Sequence, residues 1–250
     1  MLIRTLFWLS AAIVTAITLV LVAVVTIIWP DLPPISEVQD IRLKEPLRIY
    51  SIDGKLMGEF GDERRITVRI EDTPQDLINA ILAAEDDRFF SHHGVDPLGV
   101  VRALIANLKS RETRQGASTI TMQVARNYFL SREKTYTRKL KEALLAFRLE
   151  RELLKLQILE LYVNKIFLGH RSFGFQAAAA FYYNRPLDEL TLAQLAMLAG
   201  LPKAPSSINP VSNPVRAVER RNYVLRRMHG LKLIDDASFE AATAMPLTAA

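Results

Sequence analysis

The sequence predicts a mainly α-helical domain with a small β-hairpin, preceded by a single transmembrane helix. Three features favour this fold class: a long uncharged segment near the amino terminus, a short segment that alternates about an Asp-Gly pair, and a series of segments with apolar residues at helical spacing. The chain has 250 residues, of which 50% are hydrophobic, and this is enough for one anchor and one globular core.

Residues 5–29 form the uncharged segment. At about 1.5 Å per residue, a helix over this range exceeds the hydrocarbon thickness of a bilayer, about 30 Å. A cleavable signal peptide would have a shorter apolar core, about 7–15 residues, so the segment is predicted to be a retained anchor. Arg4 precedes it, and Asp31, Glu37 and Asp40 follow it. This charge bias favours a cytoplasmic amino terminus and an exported domain.

The chain is expected to divide at its composition changes into a cytoplasmic N-terminus (1–4), a transmembrane anchor (5–29), a linker containing three prolines (30–46), a globular domain (47–235) and a C-terminal segment (236–250). In the globular domain, alternation around Asp53-Gly54 predicts a hairpin. Apolar periodicity then predicts helices over 74–89, 97–108, 118–129, 136–164, 173–183, 190–201 and 215–229. The polar, basic segment 109–116 is predicted to be a mobile loop.

The net charge is +5 and the sequence pI is about 9.5. A basic chain of this kind suits acidic partners: nucleic acid, anionic lipid or phosphate-bearing substrates. Composition does not choose among the three. The absence of cysteine excludes disulfide bonds and thiolate metal sites.

Glu85 is the first candidate for chemistry. Ile78, Leu82 and Glu85 are spaced i, i+4 and i+7, so the carboxylate continues an apolar row. Desolvation on such a face raises the pKa of a carboxyl group and suits it to accept a proton near neutral pH. The pattern alone slightly favours a plainer interpretation, in which the helix frays after Ala84 and Glu85 points to water.

Glu142 is the second candidate. Arg138 and Lys139 precede it by four and three residues and so lie on the same helix face, whereas Leu145 and Leu149 make the rest of that face apolar. Two cations hold a carboxylate ionised and could also bind a phosphate or pyrophosphate. A helix-surface salt bridge explains the same spacing, and the spacing alone favours that explanation.

Other short patterns are weaker evidence for a functional site. The small residues at 115–119 would let a helix N-terminus bind an anion, but this pattern alone favours an ordinary N-cap by Ser118. Residues 131–134 match S-x-x-K, but no K-T-G follows, so serine acyl-enzyme chemistry is not expected. Four side chains could suggest a metal site but lack ligand spacing: Asp86, Asp87, His92 and His93.

Together these segments resemble glycosyltransferase family 51, the peptidoglycan glycosyltransferases. The motifs that carry the resemblance are E-D-x-x-F-x-x-H-x-G at 85–94, G-x-S-T-I-T-x-Q-x-x-x-N at 116–127, R-K-x-x-E at 138–142, K-x-x-I-L-E-x-Y-x-N at 155–164 and a fifth region from 174 to 203. The sequences of these motifs are most similar to those of bifunctional Gram-negative class A penicillin-binding proteins of the 1A type. Their transpeptidase domain is not part of these 250 residues, so no transpeptidase activity is expected from this chain.

The resemblance implies a lysozyme-like fold with a small membrane-facing lobe, and an enzyme that polymerises lipid II into β-1,4-linked strands with inversion. It implies that Glu85 deprotonates the acceptor 4-hydroxyl, and that Glu142 assists at the donor, directly or by holding a divalent cation (Mg²⁺ or Mn²⁺). Pyrophosphate would be bound by Arg138 and Lys139. The other donor-side residues implied are Ser118, Thr119, Gln123, Arg126 and Asn127.

The implied partners are lipid II, the growing glycan strand, the membrane and other cell-wall synthesis proteins, with no nucleic acid and no organic cofactor. The implied location is the bacterial inner membrane, with the catalytic domain in the periplasm. Two positions depart from the family pattern: Met122 replaces a glutamine, and Tyr183-Asn184 stands where Phe-Gly is frequent. The first departure weakens the inference about donor contacts.

Two other functions compete with the synthetic enzyme. One is a non-catalytic, membrane-tethered module that binds glycan or lipid precursor, which would have no need of both Glu85 and Glu142. The other is a lytic, muramidase-like enzyme. A pyrophosphate leaving group needs the cations Arg138 and Lys139, whereas a sugar leaving group does not.

Overall fold

Helices make up most of the computed structural model, which describes residues 2–34, 47–53, 56–60, 63–110, 118–130 and 135–249. In chain order the described helices are α1 (Leu2–Ile28), α2 (Gln75–Glu85), α3 (Pro97–Ser110), α4 (Ile120–Phe129), α5 (Tyr136–Glu152), α6 (Lys155–Lys165), α7 (Phe175–Tyr183), α8 (Leu192–Gly200), α9 (Pro214–Gly230) and α10 (Asp236–Ala244). The prediction of a mainly α-helical domain is confirmed.

Helix α1 includes almost all of the uncharged segment predicted to be an anchor. Several of its large side chains, such as Phe7 and Leu19, are more than half exposed. Its carboxyl end joins the domain, since Ile28 packs against the core and Leu32 is buried in it. Among the described residues, no helix reaches the length and hydropathy that a membrane crossing requires.

The predicted hairpin is present. Strands β1 (Leu47–Tyr50) and β2 (Leu56–Phe60) pair antiparallel, with Leu47 opposite Phe60. A second pair was not predicted: β3 (Arg64–Arg65) runs parallel to β4 (Ser172–Phe173). Strands of two residues are too short to produce an alternating pattern, so the sequence carries no signal for them.

The body consists of two groups of helices. Helix α2 packs against α8 and α9, and α4 packs against α5 and α6. The core between them holds fully buried aromatic side chains, including Phe89, Tyr162 and Phe175. The site described below lies where α2 meets the start of α4.

The predicted helix over 136–164 is wrong as one element. The chain is extended at Leu153 and Leu154, between α5 and α6. The break is concealed in the sequence because Leu153 still packs against the core and so maintains the apolar periodicity. The side chain of Gln157 accepts a hydrogen bond from the Leu154 amide at 2.8 Å, a capping contact that marks the start of α6.

Other boundaries also shift. Helix α2 ends at Glu85 rather than residue 89, and Thr119, not Ser118, caps α4 by accepting from the Met122 amide. Helix α3 extends to Ser110, and the rest of the predicted basic loop lies outside the described residues, as does the S-x-x-K segment. Helix α10 was not predicted; Asp235 caps it through the Ser238 amide at 2.8 Å.

Asn164 connects the segment before α2 to α6. Its side-chain amide donates to the carbonyls of Val68 and Glu160, at 2.8 and 3.0 Å, and its carbonyl oxygen accepts from the Val68 amide at 2.9 Å. Asn164 is buried, so each of these polar groups depends on the others for a partner.

We expect Asn164→Ala to lower the free energy of unfolding by about 2–4 kcal/mol, because it removes three hydrogen bonds and leaves the Val68 amide and carbonyl unpartnered. Gln75→Ala is the control, since its hydrogen bond to Asn79 is exposed, and it should change stability by less than about 0.5 kcal/mol. Thermal unfolding measured side by side tests this. Equal effects of the two substitutions would contradict it.

Candidate active site

A cleft of about 800 Å³ opens where α2, α3, the start of α4 and α9 meet. Its polar lining comes from separate parts of the chain and includes Glu85, Ser118, Gln123, Arg126, Lys203 and Arg220. A wall with charged side chains of both signs suits a polar ligand rather than an apolar one.

Glu85 lies on the wall of this cleft. It is the last residue of α2, and its side chain is 14% exposed. One carboxylate oxygen, Oε2, accepts a hydrogen bond from Gln123 Nε2 at 2.8 Å, and the other, Oε1, is 3.6 Å from Arg220 Nη2. The helix does end here, as the plainer interpretation required, but the carboxylate faces the cleft and not bulk water.

Burial raises the pKa of Glu85, because removal from water disfavours the charged form. The Gln123 hydrogen bond opposes this most strongly, followed by the positive charges of Arg220, Lys203 and Arg126. The carboxyl is therefore made more basic by desolvation while its neighbours limit that change. This is the balance expected of a general base near neutral pH.

The adjacent carboxylate, Asp86, has a structural environment. It is buried, and it contacts the His92 ring nitrogen Nε2 at 3.1 Å and accepts from the Ile120 amide at 3.0 Å. Asp86 thereby ties the end of α2 to the first turn of α4, where Gln123 originates. His92 is a hydrogen-bonded structural histidine, and His93 is exposed.

Glu142 lies below the cleft on α5 and is 1% exposed. It forms ion pairs with both predicted partners, Arg138 and Lys139, and the Lys139 Nζ to Oε2 distance is 2.8 Å. Lys139 also donates to the hydroxyl of Ser118, which lines the cleft. A continuous polar chain therefore runs from the buried carboxylate to the cleft wall. The exposed salt bridge that spacing favoured is ruled out.

In this series of polar contacts, Lys139 is the cation whose pKa is shifted by its surroundings. Burial, followed by the charges of Arg126 and Arg138, lowers the pKa of Lys139 to about 8, and the ion pair with Glu142 acts against that change. The Lys139 side chain is 44% exposed. Lys139 therefore contacts the cleft wall at Ser118 while it remains paired with Glu142.

The arrangement does not fit Glu142 as a metal ligand. Both of its oxygens are occupied by cationic side chains, whereas Mg²⁺ and Mn²⁺ require free oxygen ligands. Within the part of the chain that the structure describes, no group of three His, Asp or Glu side chains could hold a metal ion.

The predicted residues divide into two sets. Ser118, Thr119, Gln123 and Arg126 line the cleft with Glu85; Asn127, Arg138, Lys139 and Glu142 do not. Sequence reasoning did not single out Arg220 as a site residue. The only available signal was the basic character of the helix that carries it, which does not identify one arginine among several.

Comparison with known proteins identifies the class. Residues 53–229 match the family model described as Transglycosylase, so the chain belongs to this family. The resemblance to peptidoglycan glycosyltransferases and the expectation of a glycosyltransferase are thereby confirmed.

Several relatives of this chain are penicillin-binding proteins. It is 48% identical to Penicillin-binding protein 1A of Pseudomonas aeruginosa over 99% of its length, which is 30% of that protein. Identity to Penicillin-binding protein 1A of Escherichia coli is 52% over 80% of this chain and 24% of that protein. The chain thus spans between about a quarter and a third of the curated relatives it matches.

A solved structure shows the same fold. The crystal structure of Penicillin-Binding Protein 1A from Haemophilus influenzae aligns with a TM-score of 0.50 and 35% identity, over 84% of this chain and 22% of that one. The similarity covers most of the domain that carries the cleft.

Proposed function

We propose that this chain polymerises lipid II into β-1,4-linked glycan strands, with Glu85 as the catalytic base. The observation that carries the proposal is the position of Glu85: a carboxylate with a raised pKa on the wall of a cleft that also presents several cations. Membership of the transglycosylase family supports the reaction class.

In the proposed reaction, Glu85 removes the proton from the 4-hydroxyl of the acceptor sugar. The hydroxyl oxygen forms a bond to the anomeric carbon of the donor as the bond from that carbon to the lipid pyrophosphate breaks. Attack opposite the leaving group converts an α-linkage into a β-linkage. The proton resides on Glu85 and the negative charge leaves with the pyrophosphate.

The cations around Ser118 are proposed to receive that pyrophosphate. Arg126 and Ser118 line the cleft, and Lys139 contacts Ser118 directly. Glu142 is proposed to act through Arg138 and Lys139, because a residue 1% exposed does not itself reach a substrate. Cationic side chains, rather than a Mg²⁺ or Mn²⁺ ion held by Glu142, would then neutralise the leaving group.

The cation arrangement also favours synthesis over a lytic, muramidase-like reaction, because cleavage between sugars releases no anion that needs several cations. A lysozyme-like core remains part of this proposal, supported by the mainly helical body. A purely binding module is disfavoured, because such a module gains nothing from a desolvated carboxylate at the cleft wall.

We expect Glu85→Gln to abolish polymerisation while leaving the fold intact, since Gln cannot accept the proton but preserves the shape and can still pair with Gln123. The test is polymerisation of labelled lipid II in detergent, with thermal unfolding as the check on folding. Asp72→Asn, an exposed acidic site on the same domain, is the matched control and should remain active. Full polymerisation by Glu85→Gln would refute the base assignment. Degradation of preformed glycan by the wild type would favour the lytic alternative.

We also propose that residues 5–29 anchor the domain in the inner membrane, with residues 1–4 in the cytoplasm and the catalytic domain in the periplasm, near other cell-wall synthesis proteins. The uncharged sequence and the exposed apolar side chains of α1 support this proposal. An anchor would also hold the cleft close to a lipid-linked substrate.

The anchor predicts that the full chain, expressed in a bacterium, stays in the membrane fraction after alkaline carbonate extraction, because only an integral segment resists this treatment. A protease added outside spheroplasts should digest the domain if it faces the periplasm. Release of the chain by carbonate, or protection of the domain in intact spheroplasts, would contradict the anchor or its orientation respectively.

A further inference from the structure

Arg220 is fixed beside Glu85 by three contacts. Its Nε donates to the carbonyl of Gly200 at 3.2 Å, its guanidinium lies 4.6 Å from the centre of the Tyr223 ring, and its Nη2 is 3.6 Å from Glu85 Oε1. The side chain is 15% exposed. These contacts fix the position of the Arg220 guanidinium, unlike that of a mobile surface side chain.

Gly200 provides the space for this side chain. A Cβ built on Gly200 would lie 2.9 Å from Arg220 Cγ. The backbone at Gly200 has a φ of −78°, which any residue adopts, so conformation does not explain the glycine. The packing of α8 against α9 is thus compatible with Arg220 only because position 200 has no side chain.

Two other arginines of the cleft have a different carboxylate partner. Arg227, two turns further along α9, pairs with Asp87 at 2.7 Å, and Arg102 pairs with the same carboxylate at 3.5 Å. For Arg220, Glu85 is the only carboxylate within ion-pair distance in the described part of the chain. The pairing is therefore specific within the cleft.

Charged and titratable groups face Glu85 from each element packed around it. They are Arg126 on α4, Tyr162 on α6, Lys203 after α8 and Arg220 on α9, with Asp86 following in the chain. Asp86 is engaged with His92 and the Ile120 amide. Among the cations, Arg220 affects Glu85 most strongly.

The two oxygens of Glu85 have different roles in this geometry. Oε2 accepts the Gln123 hydrogen bond, whereas Arg220 is too far from Oε1, at 3.6 Å, to donate a hydrogen bond to it. A charge at this distance stabilises the carboxylate without occupying the lone pair. Oε1 is therefore the atom free to accept a proton.

We propose that Arg220 is a positioning residue that keeps Glu85 ionised, with Oε1 open to the acceptor hydroxyl. This inference rests on the proposed function. Arginine suits the role because it stays protonated throughout the working pH range. If Arg220 were removed, burial would act on Glu85 with less opposition, and the base would be protonated at a higher pH than in the wild type.

The test is the pH profile of kcat/KM for lipid II polymerisation, which reports the free enzyme, for wild type, Arg220→Gln and Arg220→Lys. For Arg220→Gln we expect a loss at about pH 6 that is several-fold larger than at about pH 8, because the acidic limb moves to higher pH. Arg220→Lys retains a positive charge and should restore most of the wild-type limb.

Arg227→Gln is the matched control, since it removes an arginine from the same helix and the same cleft but leaves the Glu85 pairing in place. Its acidic limb should coincide with that of the wild type, whatever its absolute rate. A role in binding substrate or in folding would lower the rate of Arg220→Gln equally at all pH values. An unmoved limb in Arg220→Gln would overturn the Arg220 assignment alone, whereas a wild type without polymerising activity would overturn the proposed function itself.

Discussion

Burial of the Glu85 carboxylate is the constraint on which the site depends. A carboxyl withdrawn from water becomes neutral, and a neutral carboxyl cannot act as a base. The surrounding elements counter this: α4 supplies Gln123, α9 supplies Arg220, and the turn after α8 supplies Lys203. Asp86, the next residue, is also a carboxylate, but its contacts with His92 and the Ile120 amide hold α2 against α4. Neighbouring carboxylates therefore have different surroundings, and the proposed function gives them different roles.

Positive charge in the domain is divided in a way that suits a reaction with a base and an anionic leaving group. Arg138 and Lys139 are balanced by Glu142, and Lys139 contacts Ser118 on the cleft wall. Arg220 is balanced by Glu85 itself. A single undivided cluster of cations would lower the basicity of Glu85 as it bound pyrophosphate. The two groups of cations have separate carboxylate partners, although the charge of Arg126 acts on both Glu85 and Lys139. Both oxygens of Glu142 are already paired with cations, which makes Glu142 a poor ligand for a metal ion.

The sequence predicts local features well and remote ones poorly. Apolar periodicity located most of the helices. Spacing alone favoured plainer interpretations of Glu85 and of Glu142 with its two cations, and the family resemblance pointed to them and to Gln123, because its motifs are local in sequence. The break at Leu153 was missed because core packing maintains the periodicity through an extended residue. Arg220 was missed for a different reason: its relation to Glu85 arises only when α9 packs against α2, and one arginine in a basic helix looks like the others.

The measurement that tests the central claim most directly is the protonation of Glu85 itself. Carbon-13 NMR of the glutamate side-chain carboxyl groups, assigned by the signal lost in Glu85→Gln, would follow its titration without any substrate. The account predicts a midpoint above the ordinary glutamate value of about 4.3, because burial outweighs the hydrogen bond and the nearby cations. A midpoint at or below the ordinary value would show that Glu85 is not made more basic by its position, and would contradict the account.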